Sequence, residues 1–322
     1  MITELSNFAA RLREAIIFFS DVGADVRSLS PATTGRTKNK PPCVGSCDNV
    51  FNRLACELFA LQFKSNAAYR KICESRGLAP GVVEHWARIP AVPTSAFKEL
   101  DLTCLTPAER IAVFHSSGTT EQRPSRHFHS LESLKLYEAS LLPWFLENVF
   151  QNCGLRIADC GLIILTPPPA QAPHSSLVRM FETVRQNLGA PETAFVGKLA
   201  TDGAWTLEFD RAIAALGNNP QSAIRNPQLI LGTAFSFVHL LDFLAEKNLR
   251  FDLPAGSRVM ETGGYKGRSR SLPKIELHGL ITEKLGVPPS HIICEYGMSE
   301  LSSQAYDLGA PAPRRRILTT AT

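Results

Sequence analysis

The stretch PQLILGTAFSFVHLLDFLAEKNLRFDLPAGSRVMETGG, residues 227–264, contains the pattern that decides the fold. Residues 227–235 predict a buried strand followed by a turn, and residues 238–249 predict a helix. Residues 257–264 predict a second strand that ends in a glycine turn. Strands that alternate with helices are typical of an α/β fold with largely parallel strands. Ligands of such folds bind in the crevice beyond the carboxyl ends of the strands.

The same alternation continues on both sides of this stretch. Residues 161–169 predict a buried strand that runs into a proline-rich loop, and residues 291–297 predict a strand followed by a turn. Residues 174–189 and 272–286 predict helices, each ended by a glycine. The sequence therefore predicts an α/β fold in which mostly parallel sheets are packed with helices.

The N-terminal part of the chain predicts helices and a long loop. Residues 1–19 are typical of an amphipathic helix, and residues 24–48, which are rich in Ser, Thr, Pro, Gly and Lys, indicate a loop. A helical pattern starts at Asn49 and is expected to continue to Cys73. Ser130 is expected to cap a further helix, whose apolar positions include Leu134 and Tyr137.

Composition excludes several classes of function. The chain has 322 residues and a formal net charge of +4, and no block of like charges is longer than Arg314–Arg316, so nucleic-acid binding is not implied. No apolar stretch approaches the roughly 20 residues of a membrane helix. The eight cysteines are irregularly spaced without a CxxC pair, which argues against structural zinc. Reduced thiols and the absence of a secretory signal predict a cytoplasmic protein.

The segment HSSGTTEQRPSR, residues 115–126, has the chemistry of a polyphosphate-binding loop. Glycine lets the backbone approach a ligand, consecutive N–H groups form an anion nest, and hydroxyls and guanidinium groups add donors. The residues concerned are Ser116, Ser117, Gly118, Thr119, Thr120, Arg123 and Arg126. No lysine follows the glycine in the way that a P-loop requires, so a Walker-type kinase is excluded.

A second candidate segment is EYGMSE, residues 295–300. Tyr296 offers a flat surface for a purine, and Gly297 permits a tight turn. Ser299 can donate to a phosphate, and Glu300 supplies a hard oxygen ligand for Mg²⁺ held together with substrate phosphates. The alternative is a turn at the end of a strand with a surface glutamate.

The third candidate segment is ETGGYKGRSR, residues 261–270. Gly263 and Gly264 at the end of a strand allow the backbone to lie along a planar base, and Lys266 lies beside them. The alternative is a basic turn on the surface. The three segments together are more specific than any one of them.

The order SSGTT, TGGYKGRS and YGMSE resembles that of the adenylate-forming ligases, which include acyl-CoA synthetases and the adenylation domains of peptide synthetases. Within them the chain is most similar to the acyl-protein synthetases of the LuxE type, relatives of phenylacetate–CoA ligases. Residues 85–100, 166–180 and 295–307 carry the same resemblance, which extends over about residues 49 to 307.

The resemblance implies the large N-terminal domain of an adenylate-forming ligase. The implied organisation is an N-terminal helix and loop over 1–48, a core domain over 49–310 and a truncated tail over 311–322. The small C-terminal domain, which brings a mobile lysine in the superfamily, is expected to be largely absent. In the superfamily, an aspartate downstream of the YGMSE-type motif binds the ribose hydroxyls of the nucleotide. Asp307 lies too close to residues 295–300 to be expected in that role. Cys294, the last cysteine, lies in a predicted buried strand and is expected to be a poor acyl acceptor.

The implied activity is the ATP-dependent activation of a long-chain fatty acid as acyl-AMP, followed by transfer of the acyl group to a protein thiol. ATP and Mg²⁺ are the implied cofactors. The resemblance assigns the β- and γ-phosphates to residues 116–120, with Thr119 and Thr120 catalytic. It assigns adenine to Gly263, Gly264, Tyr265 and Tyr296, with Lys266 and Gly297 beside them. It assigns the α-phosphate to Ser299 and Mg²⁺ to Glu300.

Three alternatives remain open from the sequence. The chain can be an acyl-protein synthetase, an acyl- or aryl-CoA ligase, or a catalytically weak remnant that binds nucleotide. An acyl-acceptor protein and a reductase or transferase are the expected partners by analogy. Phe235, Phe237 and His239 can line an acyl pocket or belong to the core. His174 is expected to cap or pack at the start of its helix.

Overall fold

The computed structural model describes residues 4–16, 44–116, 123–150, 160–217, 226–265 and 267–307. The chain divides into two compact units, Met1–Ser140 and Leu141–Thr322. The domain boundaries expected at residues 48 and 310 stay a prediction. None of the helices in the described ranges combines the length and the apolar character that a membrane crossing requires.

The first unit consists mainly of helices with one small hairpin. Residues 4–16 form α1, as predicted for the N-terminal segment. The remaining elements are α2 (Val44–Ser65), α3 (Ala67–Glu74), α4 (Ala96–Glu99), β1 (Ala112–His115), β2 (Arg126–His129) and α5 (Leu131–Val149), which contains the unit boundary. Ser130 caps α5 as predicted, because its Oγ accepts a hydrogen bond of 3.3 Å from the Ser133 N–H.

The helix predicted from Asn49 to Cys73 is two helices. Asn66 breaks it, since its side-chain oxygen accepts a hydrogen bond of 3.0 Å from the Tyr69 N–H and so caps α3. The loop predicted over 24–48 is wrong at its end, where α2 already begins at Val44. The part of that loop before Val44 lies outside the described residues.

The second unit is built on a five-stranded sheet with the order β3–β6–β7–β8–β9. Its strands are β3 (Gly161–Ile164), β6 (Gln228–Thr233), β7 (Arg258–Thr262), β8 (Ile292–Met298) and β9 (Ser303–Asp307), and a separate hairpin joins β4 (Gly197–Leu199) and β5 (Trp205–Leu207). The first four strands of the sheet are parallel. The helices are α6 (Ser176–Asn187), α7 (Phe209–Leu216), α8 (Ala234–Glu246) and α9 (Lys274–Leu285). The predicted α/β fold is confirmed.

Two turns predicted from the sequence are wrong. No turn separates β6 from α8, because Thr233 ends the strand and also caps the helix through a hydrogen bond of 3.2 Å from the Ser236 N–H. Gly297, where a turn is predicted, lies within β8, which continues to Met298. The second half of β8 pairs antiparallel with β9. β9 is short and contains Ser303, Gln304 and Asp307, so it lacks the apolar pattern typical of a strand.

The main core cluster of the second unit lies where α8 and α9 pack against the sheet. It includes Phe237, Leu241 and Ile281 from the helices and Ile230 and Val259 from the strands. Phe237 is fully buried, so the core interpretation of this residue is confirmed. The carboxyl ends of the parallel strands β6, β7 and β8 share one edge of the sheet, and this edge carries two of the three candidate segments.

Candidate active site

The residues of the phosphate-binding candidate flank the β1–β2 hairpin in the first unit. Ala112–His115 pairs antiparallel with Arg126–His129, and the Ser116 Oγ accepts a hydrogen bond of 3.1 Å from the Ser125 N–H at the end of this ladder. Ser116 therefore helps to close the hairpin, and its O–H group can still donate. Ser117, Gly118, Thr119 and Thr120 lie outside the described residues, and their roles stay predictions.

The two arginines of this segment differ in their surroundings. Arg126 forms an ion pair of 2.7 Å with Asp101, which also binds Arg110 at 3.0 Å. One carboxylate is shared by two guanidinium groups, so this cluster keeps a net positive charge. Arg123 lines an open cleft of about 440 Å³ together with Ser95, Ala96, Lys98 and Glu99. The cluster of Asp101, Arg110 and Arg126 thus carries one positive charge in excess.

The turn after β7 carries the first half of the candidate base site. Gly264 has a φ of +88°, in the left-handed region that favours glycine. Among the described residues, no atom lies within 4 Å of the position that a Cβ at Gly263 would take, so one face of the backbone is open toward them. The Tyr265 hydroxyl donates a hydrogen bond of 2.9 Å to the Leu272 carbonyl, and the ring packs on the core, which anchors the turn. Lys266 lies outside the described residues.

Tyr296 and Gly297 lie on the neighbouring strand β8. Tyr296 is 64% exposed, which is unusual for a large aromatic residue in a strand and leaves its ring available for stacking. A Cβ at Gly297 would lie 2.5 Å from the Glu295 Oε1 atom. A side chain at position 297 would therefore require the Glu295 carboxyl to move, and the tight turn expected at this position is wrong because Gly297 lies inside β8.

Ser299 and Glu300 follow β8 and are nearly buried, with exposures of 8% and 7%. The surface interpretation of Glu300 is therefore wrong. The Ser299 Oγ lies 3.2 Å from the Ser176 Oγ, across 123 residues of sequence. Ser176 is the first residue of α6, whose cap Ser175 accepts a hydrogen bond of 3.2 Å from the Val178 N–H. Two hydroxyls thus meet at a helix N-terminus, where the helix dipole favours an anion.

Glu300 has the chemistry that a Mg²⁺ ion requires. Mg²⁺ prefers oxygen ligands and is commonly held by one or two carboxylates together with substrate phosphates and water. In the described ranges no group of three or more His, Cys, Asp or Glu side chains is arranged for a metal ion.

Other residues considered from the sequence have different roles. Asp307 pairs with Lys274 at 2.9 Å. Burial raises the pKa of the Cys294 thiol to about 12, so this cysteine is a poor nucleophile at neutral pH. Phe235 is buried, and the His239 ring nitrogen Nε2 lies 2.9 Å from the Arg268 carbonyl. His174 is exposed, and Ser175 caps the helix in its place.

Three residues near this edge were missed from the sequence. Ser176 stands in a segment that resembles the family, but no local pattern distinguishes it from Ser175. Glu261 and Glu295 are each 3% exposed, and each lies in a strand with buried apolar residues, such as Met260 in β7 and Ile293 in β8. A charged residue inside an apolar strand is the signal that could have identified the two glutamates, because buried carboxyl groups require partners.

Comparison with solved structures defines the class of this fold. Three structures of 2-hydroxyisobutyryl-CoA ligase match at probability 1.00: an open conformation with 2-HIB-AMP and CoA, a postadenylation state with 2-HIB-AMP, and a thioesterification state with both molecules. Their TM-scores are 0.55, 0.56 and 0.56, their identities are 14%, 14% and 16%, and each covers 84% of this chain. The fold is that of the adenylate-forming ligases.

The sequence then defines the family. The model of the family described as acyl-protein synthetase, LuxE, matches residues 45–308, so the chain belongs to the LuxE acyl-protein synthetase family. A search of curated proteins finds no match. The chain spans 61%, 55% and 55% of the three ligase chains named above.

Proposed function

We propose that the protein activates a carboxylic acid with ATP as an acyl-adenylate and passes the acyl group to a thiol. The observation that carries this proposal is the nearly buried Ser299–Glu300 pair beside Ser176 at the α6 N-terminus. Tyr296, whose ring is exposed, and Gly263 lie at the carboxyl ends of the neighbouring strands β8 and β7. Family membership supports the same reaction.

The first step is attack of the carboxylate oxygen on the α-phosphorus of ATP. One O–P bond forms, the bond to the β-phosphate oxygen breaks, and pyrophosphate leaves with the electron pair. The carboxylate is an anion at neutral pH, so the step requires no general base. Mg²⁺ held by Glu300 would neutralise phosphate charge. The hydroxyls of Ser299 and Ser176 and the α6 N–H groups can stabilise charge on the α-phosphate.

We assign the β- and γ-phosphates to the hairpin segment that begins at Ser116, with Thr119 and Thr120 as hydroxyl donors. Positioning and charge neutralisation dominate phosphoryl-transfer catalysis, which is the chemistry that hydroxyls, arginines and backbone N–H groups provide. Arg123 and Arg126 supply positive charge in this segment, and Arg126 is already held by Asp101.

We propose a long-chain fatty acid as the substrate and a protein thiol as the acceptor, following the family. The acceptor is a thiol other than Cys294, because burial raises the pKa of Cys294 to about 12. The described cysteines Cys56, Cys73, Cys104 and Cys294 are reduced thiols, which is in keeping with a reducing cytoplasm. A reductase or transferase that consumes the acyl group would be the natural partner.

The proposal is tested by carboxylate-dependent ATP–pyrophosphate exchange over a series of fatty and aromatic acids. We expect exchange that requires Mg²⁺ and is strongest with long-chain fatty acids. Acylated protein on a gel would establish the protein thiol, whereas acyl-CoA on chromatography would establish a CoA ligase instead. ATP binding without exchange for any acid would identify a nucleotide-binding remnant and contradict the proposal.

A second prediction concerns Tyr296. Replacing Tyr296 with Ala is expected to weaken ATP binding roughly tenfold, because stacking of a base on an aromatic ring is worth about 1–3 kcal/mol. Tyr296→Phe is the matched control and should bind ATP almost as the wild type does, since it keeps the ring. Calorimetric titration with ATP measures both. Wild-type affinity in Tyr296→Ala would remove Tyr296 from the base site.

A further inference from the structure

The connection between β7 and α9 carries the candidate base segment and is rich in glycine. It extends from Gly263 to Pro273 and also contains Gly264 and Gly267. Glycine loses more backbone freedom on ordering than other residues do, so a defined conformation of this connection is costly in entropy. The described residues of the connection are nevertheless held at defined points by side chains of the neighbouring helix α8.

Three residues of α8 contact this connection or the side chains that do. Phe235, His239 and Asp242 are separated by four and three positions, so they lie on one face of the helix. The Phe235 and His239 rings pack edge to face with centroids 6.0 Å apart. The guanidinium carbon of Arg268 lies 5.8 Å from the centroid of the Phe235 ring.

His239 holds the backbone of the connection. Its Nε2 atom lies 2.9 Å from the Arg268 carbonyl oxygen. A carbonyl oxygen only accepts hydrogen bonds, so Nε2 carries the hydrogen and donates it. The Arg268 N–H group in turn donates a hydrogen bond of 2.8 Å to the Tyr265 carbonyl. His239 therefore fixes the far end of a turn that starts at the last residue of the candidate base segment.

Asp242 holds the connection two residues further on. The Arg270 Nη2 atom donates to the Asp242 Oδ1 atom at 2.7 Å, and the Arg270 Nε atom lies 3.2 Å from both carboxylate oxygens. Both side chains are about half exposed, so the pair contributes little to stability by itself. Its two-pronged geometry nevertheless fixes the orientation of the connection on α8.

We infer that His239 and Asp242 are positioning residues, which latch residues 268–270 onto α8 and so hold Gly263–Tyr265 in place for the base of the nucleotide. His239 thus acts on the nucleotide side of the site and not as the lining of an acyl pocket. This inference rests on the proposed function for its consequence in ATP binding. The latch itself is a property of the folded chain and can be measured without catalysis.

Backbone hydrogen exchange of the full chain, followed by mass spectrometry, tests the latch. His239→Phe removes the donor and keeps an aromatic ring, whereas Asp242→Asn removes the charge and keeps the shape. We expect faster exchange over residues 263–272 as one unit, by roughly two- to tenfold in His239→Phe and by up to roughly fivefold in Asp242→Asn. Asp252→Asn is the matched control, because the exposed Asp252 pairs with Arg250 at 3.4 Å outside the connection, and it should leave the exchange unchanged.

Two further variants show whether the contacts themselves are responsible. Arg270→Asp places a second carboxylate opposite Asp242 and should open the latch. Addition of Asp242→Arg to this variant restores a pair of opposite charges, and the exchange should return to within about twofold of the wild type. His239→Gln keeps an N–H donor in the side chain and should exchange as the wild type does.

The consequence for the nucleotide is measured as the KM for ATP in pyrophosphate exchange. A chain whose latch is closed for only part of the time binds ATP more weakly, in proportion to the closed fraction. We expect the double variant His239→Phe/Asp242→Asn to raise this KM by about two- to tenfold with little change in kcat, because the contacts to the α-phosphate are untouched. A changed chain-length optimum for the acid with an unchanged KM for ATP would place His239 in an acyl pocket and overturn the inference.

The inference is also overturned if each variant speeds exchange only at its own contact, if the reversed charges do not restore slow exchange, or if Asp252→Asn has the same effect. Asp242 and Arg270 are half exposed, so their variants carry the test even where His239→Phe does not fold. Absence of pyrophosphate exchange in the wild type would refute the proposed function. Calorimetric titration of the same variants with ATP then decides whether the latch positions the nucleotide.

Discussion

Glu300→Ala is expected to lower carboxylate-dependent ATP–pyrophosphate exchange by about 100- to 1000-fold, the range that follows the loss of one group that stabilises transition-state charge. Glu300 is 7% exposed at the end of β8 and is the carboxylate to which we assign Mg²⁺. Its loss should reduce the exchange rate at saturating ATP as well as the affinity for the metal, because phosphate charge would go uncompensated in the transition state.

The matched control for this variant is Glu283→Ala. Glu283 is an exposed acid on α9 whose nearest cation is Lys284, so the same change of charge and size is made away from the candidate site. Urea unfolding of both variants separates loss of activity from loss of fold. Exchange at the wild-type rate in a folded Glu300→Ala protein would remove Glu300 from the site.

Phe237→Ala is expected to lower the free energy of unfolding by about 3–5 kcal/mol, as truncation of a buried phenylalanine does. Phe237 is fully buried in α8, and its Cε2 atom lies 3.1 Å from the position that a Cβ on Gly232 would take. The side chain thus fills the space that this glycine leaves in β6. Truncation would open a cavity between the helix and the sheet.

Urea unfolding at constant pH measures this change, and Phe237→Leu is the control that keeps most of the volume and should cost less than about 1.5 kcal/mol. The same proteins can be assayed for acyl-chain preference. A folded, stable Phe237→Ala protein with an altered chain-length optimum would show that the residue lines an acyl pocket, contrary to the core interpretation.

Strands and helices with strong apolar patterns could be predicted from the sequence. Residues 257–264 and 272–286 are examples, since their periodicity reflects burial that the fold then provides. β9 could not be predicted, because Ser303–Asp307 is short, contains three polar residues and acquires strand structure by pairing with β8. Because the end of β8 also lacks a clear apolar pattern, the sequence predicts a turn at Gly297. In the structure β8 continues to Met298, and the chain turns after it.

The sequence predicts which residues belong to the candidate site, but it does not predict how they are arranged in space. Ser299 and Glu300 could be singled out by chemistry and by resemblance, and both are nearly buried at the end of β8. The contact between Ser299 and Ser176 could not be predicted, because it joins positions 123 residues apart. The burial of Glu295 could not be predicted, because it depends on the position of the residue in the sheet, where it pairs with Thr262 of β7.

Oxygen transfer from substrate to AMP tests the central claim most directly. The protein is incubated with ATP, Mg²⁺ and a fatty acid whose carboxylate carries heavy oxygen, and hydroxylamine is added to capture the activated acyl group. If the carboxylate attacks the α-phosphorus, the AMP released carries one heavy oxygen atom, and mass spectrometry will detect it. Label in inorganic phosphate, or AMP without label, would contradict acyl-adenylate formation by this chain.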